Sequence, residues 1–163
     1  MEPRSRSDEL ILLIERAKDR RQAMARRRRQ RRDAWLAATA MLGALLALPL
    51  AQTTWHGAEV AAVLAIAATA QFAGHRWAIA VIVIAELFLL PTVWPRAFLE
   101  GELGPRIVAL TTLVAMVPSL LAMRRAAAVL AVLTGRRYPR LKRRWIHAGL
   151  LVSCVIAVVI PWI

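Results

Sequence analysis

One carboxylate in this chain stands where a charge is expensive. Glu86 lies in the run VIVIAELFLL, nine positions after Trp77 and eight before Trp94. If tryptophans mark the two edges of a membrane span, Glu86 falls near its middle. There an ionised side chain costs about 2.5–3.5 kcal/mol on insertion scales. No Lys or Arg lies inside any of the apolar segments to neutralise it. Three uses follow: a protonated carboxyl hydrogen-bonded within a helix bundle, a contact with another subunit, or a proton or cation site. Gln71, Thr69, Thr111, Thr112 and Ser153 are the polar neighbours the sequence offers.

Other groups with chemical potential are sparse. His56 and Glu59 stand one helical turn apart, a spacing that suits two metal ligands. Two ligands alone make a weak site, so the pair reads as interfacial and no metal is expected. His75 and His147 fall near one membrane face, where two axial haem ligands are conceivable. Nothing else supports haem, and no cofactor is expected. Cys154 is the single cysteine, which excludes an intrachain disulfide, a CxxC motif and a cysteine zinc site. No GxSxG, HExxH, Walker or Rossmann pattern occurs. The sequence therefore favours a noncatalytic protein.

The basic residues are more numerous and more organised. Arg26, Arg27, Arg28, Arg29, Arg31 and Arg32 form one cluster; Arg136, Arg137, Arg140, Lys142, Arg143 and Arg144 form another. Their default role is topogenesis and attraction to anionic lipid, at roughly 1 kcal/mol per basic residue near the surface. An acidic cytoplasmic partner is a second reading, helped by the apolar stripe Leu10–Ile14 beside the first cluster. Nucleic acid is disfavoured, because no interleaved aromatics or recognisable nucleic-acid fold accompany RRRRQRR.

Small residues recur at four-residue spacing. Thr39, Gly43 and Ala47 make one stripe; Gly149, Ser153 and Ala157 make another. In lipid such faces let helix backbones approach closely. They serve bundle packing or a contact between copies.

The elements that must carry these residues follow from how charge and apolarity are separated. The chain has 163 residues, is 59% hydrophobic and has a formal charge of +13. Twelve of the 23 Lys and Arg residues lie between Arg4 and Arg32, and eight between Arg124 and Arg144. Residues 1–33 read as a basic, amphipathic cytoplasmic helix, capped by Ser7, with Leu10, Leu13, Ile14, Ala17 and Met24 on one face. No cleavable signal is expected. Residues 34–163 read as a transmembrane domain with spans at 35–51, 58–73, 77–94, 106–123 and 145–163. A basic cytoplasmic segment, 124–144, joins the last two, with Gly135 and Pro139 as helix breakers. Within it, 126–133 is apolar but too short to span. It reads as a continuation of the fourth helix or an interfacial helix packed on Leu10–Ile14. All six tryptophans lie near segment ends.

With the amino terminus inside, the inner segments hold 21 basic residues and the outer ones hold Arg96 and, at a boundary, Arg106. An odd number of spans then places Ile163 outside. The alanine- and arginine-rich composition is that of a high-GC bacterium, so the expected location is an inner membrane with a periplasmic carboxyl terminus. The expected class is an all-α polytopic membrane bundle of about five helices. Its expected role is a noncatalytic subunit or scaffold, partnered by anionic lipids and by other membrane subunits or further copies of itself. The alternative is a small oligomeric transporter or channel with Glu86 as its proton or cation site.

Overall fold

The computed structural model describes residues 6–51, 57–134 and 139–162, with side chains of 6–14, 50–51 and 139–141 outside the description. Among the described residues the structure is helical, without strands. Six α-helices run in order: α1 Arg6–Ala51, α2 Gly57–Phe72, α3 Ala78–Leu99, α4 Leu103–Leu121, α5 Met123–Leu133 and α6 Pro139–Val159, closed by a 3₁₀ turn at Ile160–Trp162. Residues 1–34 form one unit and Trp35–Ile163 a second.

In the first unit the side chains from Glu15 onward are exposed, apart from half-buried Asp33. Ala17 and Met24 share that exposure, while Leu10, Leu13 and Ile14 have no described side chains.

The second unit is built around α3, which packs against α2, α4, α5 and α6. Among the described residues, three helical stretches are long and apolar enough to cross a membrane: Ala78–Leu99, Leu103–Leu121 and Lys142–Trp162. The helix Gly57–Phe72 is apolar but shorter. The core is made largely of alanine. Leu36, Ala40, Ala44 and Ala47 of α1 join Ala61, Leu64, Ala67 and Ala68 of α2 and Ile82, Ala85, Leu89 and Val93 of α3 in one cluster. Small side chains at a helical repeat let these backbones approach closely.

Local chemistry sets the joints. α2 ends in a Schellman turn: Gly74 takes φ +88°, its N–H donates to Gln71 O, and the N–H of His75 donates to Ala70 O, both at 3.0 Å. That left-handed residue needs glycine. α3 continues through Pro91 and Pro95, which supply no N–H to the carbonyls of Leu87 and Pro91. α4 contains Pro118 and gives way at Ala122, whose N–H is shared between Pro118 O at 3.2 Å and Ser119 O at 2.9 Å. The chain resumes as α5 without a loop.

The apolar stretch expected at 126–133 therefore begins at Met123 and packs on α3 and α6. Met123 and Ala126 cluster with Ala80, Val83 and Leu87, flanked by Leu150 and Cys154 of α6. α6 begins at Pro139, so Arg140, Lys142, Arg143 and Arg144 belong to the helix itself.

Candidate functional site

α3 carries Glu86 on its most enclosed face, between Ala85 and Leu87 and one turn from Ile82 and Leu90, all buried. The carboxyl is 1% exposed, and among the described residues it is the only buried acidic or basic side chain. Its partner is Ser119 on α4, whose hydroxyl donates to Glu86 Oε2. Ser119 is itself fully buried. Its hydroxyl also reaches back to Met116 O at 2.8 Å, a contact that serine often makes within a helix. One hydroxyl hydrogen thus faces two acceptors. Glu86 Oε1, equally buried, has no hydrogen-bond partner.

Ser119 was not among the neighbours drawn from the sequence, and the geometry explains why the others do not serve. Thr69 donates to Ile66 O at 2.7 Å, Thr111 to Ile107 O at 2.8 Å and Thr112 to Val108 O at 2.7 Å. Each hydroxyl is thereby satisfied within its own helix. Gln71 is buried, with Oε1 unpartnered. Ser153 is exposed. A signal for Ser119 existed: α3 and α4 are joined by a short turn, and Glu86 and Ser119 lie 16 residues before and 17 residues after Glu102.

The two small-residue stripes have different surroundings. On α1, Gly43 and Ala47 are buried, and a Cβ on Gly43 would meet Ala115 Cβ of α4 at 3.9 Å. Thr39 donates to Trp35 O and Leu36 O, each at 3.1 Å. On α6, Ala157 is in the core, whereas Gly149 and Ser153 face outward and nothing lies within 4 Å of a Gly149 Cβ.

Arg26, Arg27, Arg28, Arg29, Arg31 and Arg32 are exposed in the first unit. Arg136 and Arg137 lie outside the described residues, as does the side chain of Arg140; Lys142 and Arg143 are half-buried and Arg144 is exposed. Arg124 and Arg125, which open α5, are exposed as well. His56 and Trp55 are outside the described residues, Glu59 is exposed, and His75 packs beside Trp77 with ring centroids 6.0 Å apart. Trp35, Trp77, Trp145 and Trp162 face outward. Trp94 instead leans on Phe98 at 4.6 Å, with its indole N–H buried and unpartnered. Among the described residues no three His, Cys, Asp or Glu side chains gather into a metal-binding group.

Compared with known proteins, the chain matches no family model, no curated protein and no solved structure.

Proposed function

We propose that this protein is a noncatalytic, membrane-integral subunit that organises helices within a larger inner-membrane assembly. In this reading five spans cross the bilayer: residues 35–51 within α1, then α2, α3, α4 continued by α5, and α6. The basic amino-terminal helix lies in the cytoplasm, where it meets anionic lipid or an acidic partner, and the carboxyl terminus is periplasmic.

The observation that carries the reading is how Glu86 is used. A carboxyl open to a conduction path would present its oxygens to water. This one is enclosed and spends its polarity on Ser119 of the neighbouring helix. The hydrogen-bond count favours a neutral acid. If Glu86 carries a proton, it donates to Ser119 Oγ while Ser119 donates to Met116 O, and both acceptors are satisfied. An anion would leave one of these two acceptors without a hydrogen and bury an unpaired charge as well, at a penalty of several kcal/mol in an apolar interior, whereas Oε1 is unpartnered in either state. The outward face of α6 supports the subunit reading in a second way, because it offers Gly149 and Ser153 to a neighbour.

The partnerless Oε1 favours one alternative, an oligomeric transporter or channel in which Glu86 exchanges a proton or cation. Two measurements separate the readings. Purification from native membranes in nanodiscs, followed by mass spectrometry, should return a stoichiometric partner subunit; a clean homo-oligomer speaks for the transporter. Glu86→Gln should leave assembly intact in the scaffold, whereas loss of flux with assembly intact identifies transport.

A further inference from the structure

In the membrane-spanning reading, the start of α5 sets two arginines below the bilayer surface. The Ser119–Glu86 hydrogen bond fixes the level of α4 against α3. Arg124 follows Ser119 by five residues, and Trp77 precedes Glu86 by nine. Counted along the chain, Arg124 comes after fewer residues than separate Trp77 from Glu86, so the start of α5 is reached before the level of Trp77, on the bilayer side. A second observation agrees: Met123 and Ala126, which bracket the pair, cluster with Ala80, Val83 and Leu87 of α3. Met123, Ala126 and Ala127 are buried, while Arg124 and Arg125 point outward. Outward at that depth is the inner leaflet.

Arginines so placed extend toward the interface, with their stems along apolar surface and their guanidinium groups at the headgroups. The chemistry waiting there is the phosphodiester, which the planar guanidinium fork matches in a bidentate manner. The break at Ala122 gives the pair this position, because it ends α4 before the headgroup level and starts a second packed helix.

We infer that Arg124 and Arg125 form a binding site for the phosphate of an anionic phospholipid in the inner leaflet, distinct from the diffuse basic clusters at 26–32 and 136–144. This rests on the membrane-spanning reading above. The test is reconstitution of the full chain in nanodiscs of equimolar phosphatidylglycerol and phosphatidylcholine, then native mass spectrometry of lipid retained on gentle release. The expected result is retained phosphatidylglycerol, lost in Arg124→Gln/Arg125→Gln and kept in Arg26→Gln/Arg27→Gln/Arg28→Gln/Arg29→Gln. Arg124→Lys/Arg125→Lys, which keeps the charge but not the fork, should weaken retention and guards against a folding defect of the neutral pair. Equal retention by the neutral pair overturns the site, as does equal retention of phosphatidylcholine. Displacement by excess inorganic phosphate would assign a free-anion site and overturn the lipid. If the chain extracts from membranes without detergent, the spanning reading fails and takes the site with it. Detergent-dependent extraction with unchanged lipid retention refutes the site alone.

Discussion

Glu86 on α3 and Ser119 on α4 are bonded at nearly equal distances from the turn that joins their helices, 16 residues before Glu102 and 17 after it. The tie is therefore a register mark for an antiparallel helix pair. Sliding α4 by one turn would bring Ala115 or Met123 near the carboxyl and leave it without a hydroxyl. In a core of alanines, whose contacts are nearly interchangeable, one polar pair can select a single alignment.

The first prediction concerns that pair. Ser119→Ala leaves a buried carboxyl without its partner and should destabilise the bundle by about 1–3 kcal/mol. Glu86→Gln keeps a donor toward Ser119 Oγ and should lose less. A double-mutant cycle of Glu86→Leu with Ser119→Ala, each of which removes the bond, on reversible unfolding in bicelles should give a coupling of ~0.6 kcal/mol and not above ~1.7 kcal/mol, the span of polar pairs measured in lipid. Zero coupling would mean that the two residues act independently.

The second prediction is spectroscopic. If Glu86 holds its proton, the infrared difference between native protein and Glu86→Gln should show the carbonyl stretch of a carboxylic acid. The alternative is the paired band of a carboxylate, which would point to a charged site and to the transport reading. Running the comparison in Ser119→Ala should shift the acid band as its hydrogen bond is lost. A band that stays put would remove Ser119 as the partner.

Much of the helical plan was legible because apolar segments, tryptophans and breakers were spaced along the chain. The break between the spans at 58–73 and 77–94 and the apolar character of α3 could be read directly. The boundaries were less so. α3 runs to Leu99 despite Pro91 and Pro95, and α4 begins at Leu103, ahead of the expected 106. The proline ring removes one N–H and kinks the helix, but the flanking bonds hold it together, so proline alone does not end it. No glycine or proline lies between Asp33 and Gly43, which removes any local reason to stop at the basic run, and α1 is continuous from Arg6 to Ala51. Placement of α5 was illegible because composition marks 126–133 as apolar but not what it packs against. Ser119 was hidden for the same reason, as partnership depends on register.

A third prediction follows from the Schellman turn. Gly74→Ala forces a side chain into φ +88°, at about 1–2 kcal/mol. Nothing lies within 4 Å of the added Cβ, so the loss is purely conformational. Gly74→Asn, which tolerates the left-handed region, should recover part of it. Equal losses for both would refute that account. The readout is thermal unfolding of the detergent-solubilised protein.

Gly149 and Ser153, two of the outward-facing residues of α6, supply the last prediction, with α1 as its control. Gly43→Leu must push a large side chain toward Ala115 and should cost about 1–3 kcal/mol by overpacking. Gly43→Ala meets only an ordinary contact at 3.9 Å and should be neutral or gain up to about 1 kcal/mol from helix propensity. Gly149→Leu enters open space inside α6 and should leave monomer stability unchanged or raise it by up to about 1 kcal/mol through helix propensity. If a neighbouring subunit covers that face, Gly149→Leu should nevertheless dissociate the assembly in native gels or mass spectrometry. An intact assembly with Gly149→Leu/Ser153→Leu would show instead that this face of α6 meets lipid, and any partner would have to bind elsewhere.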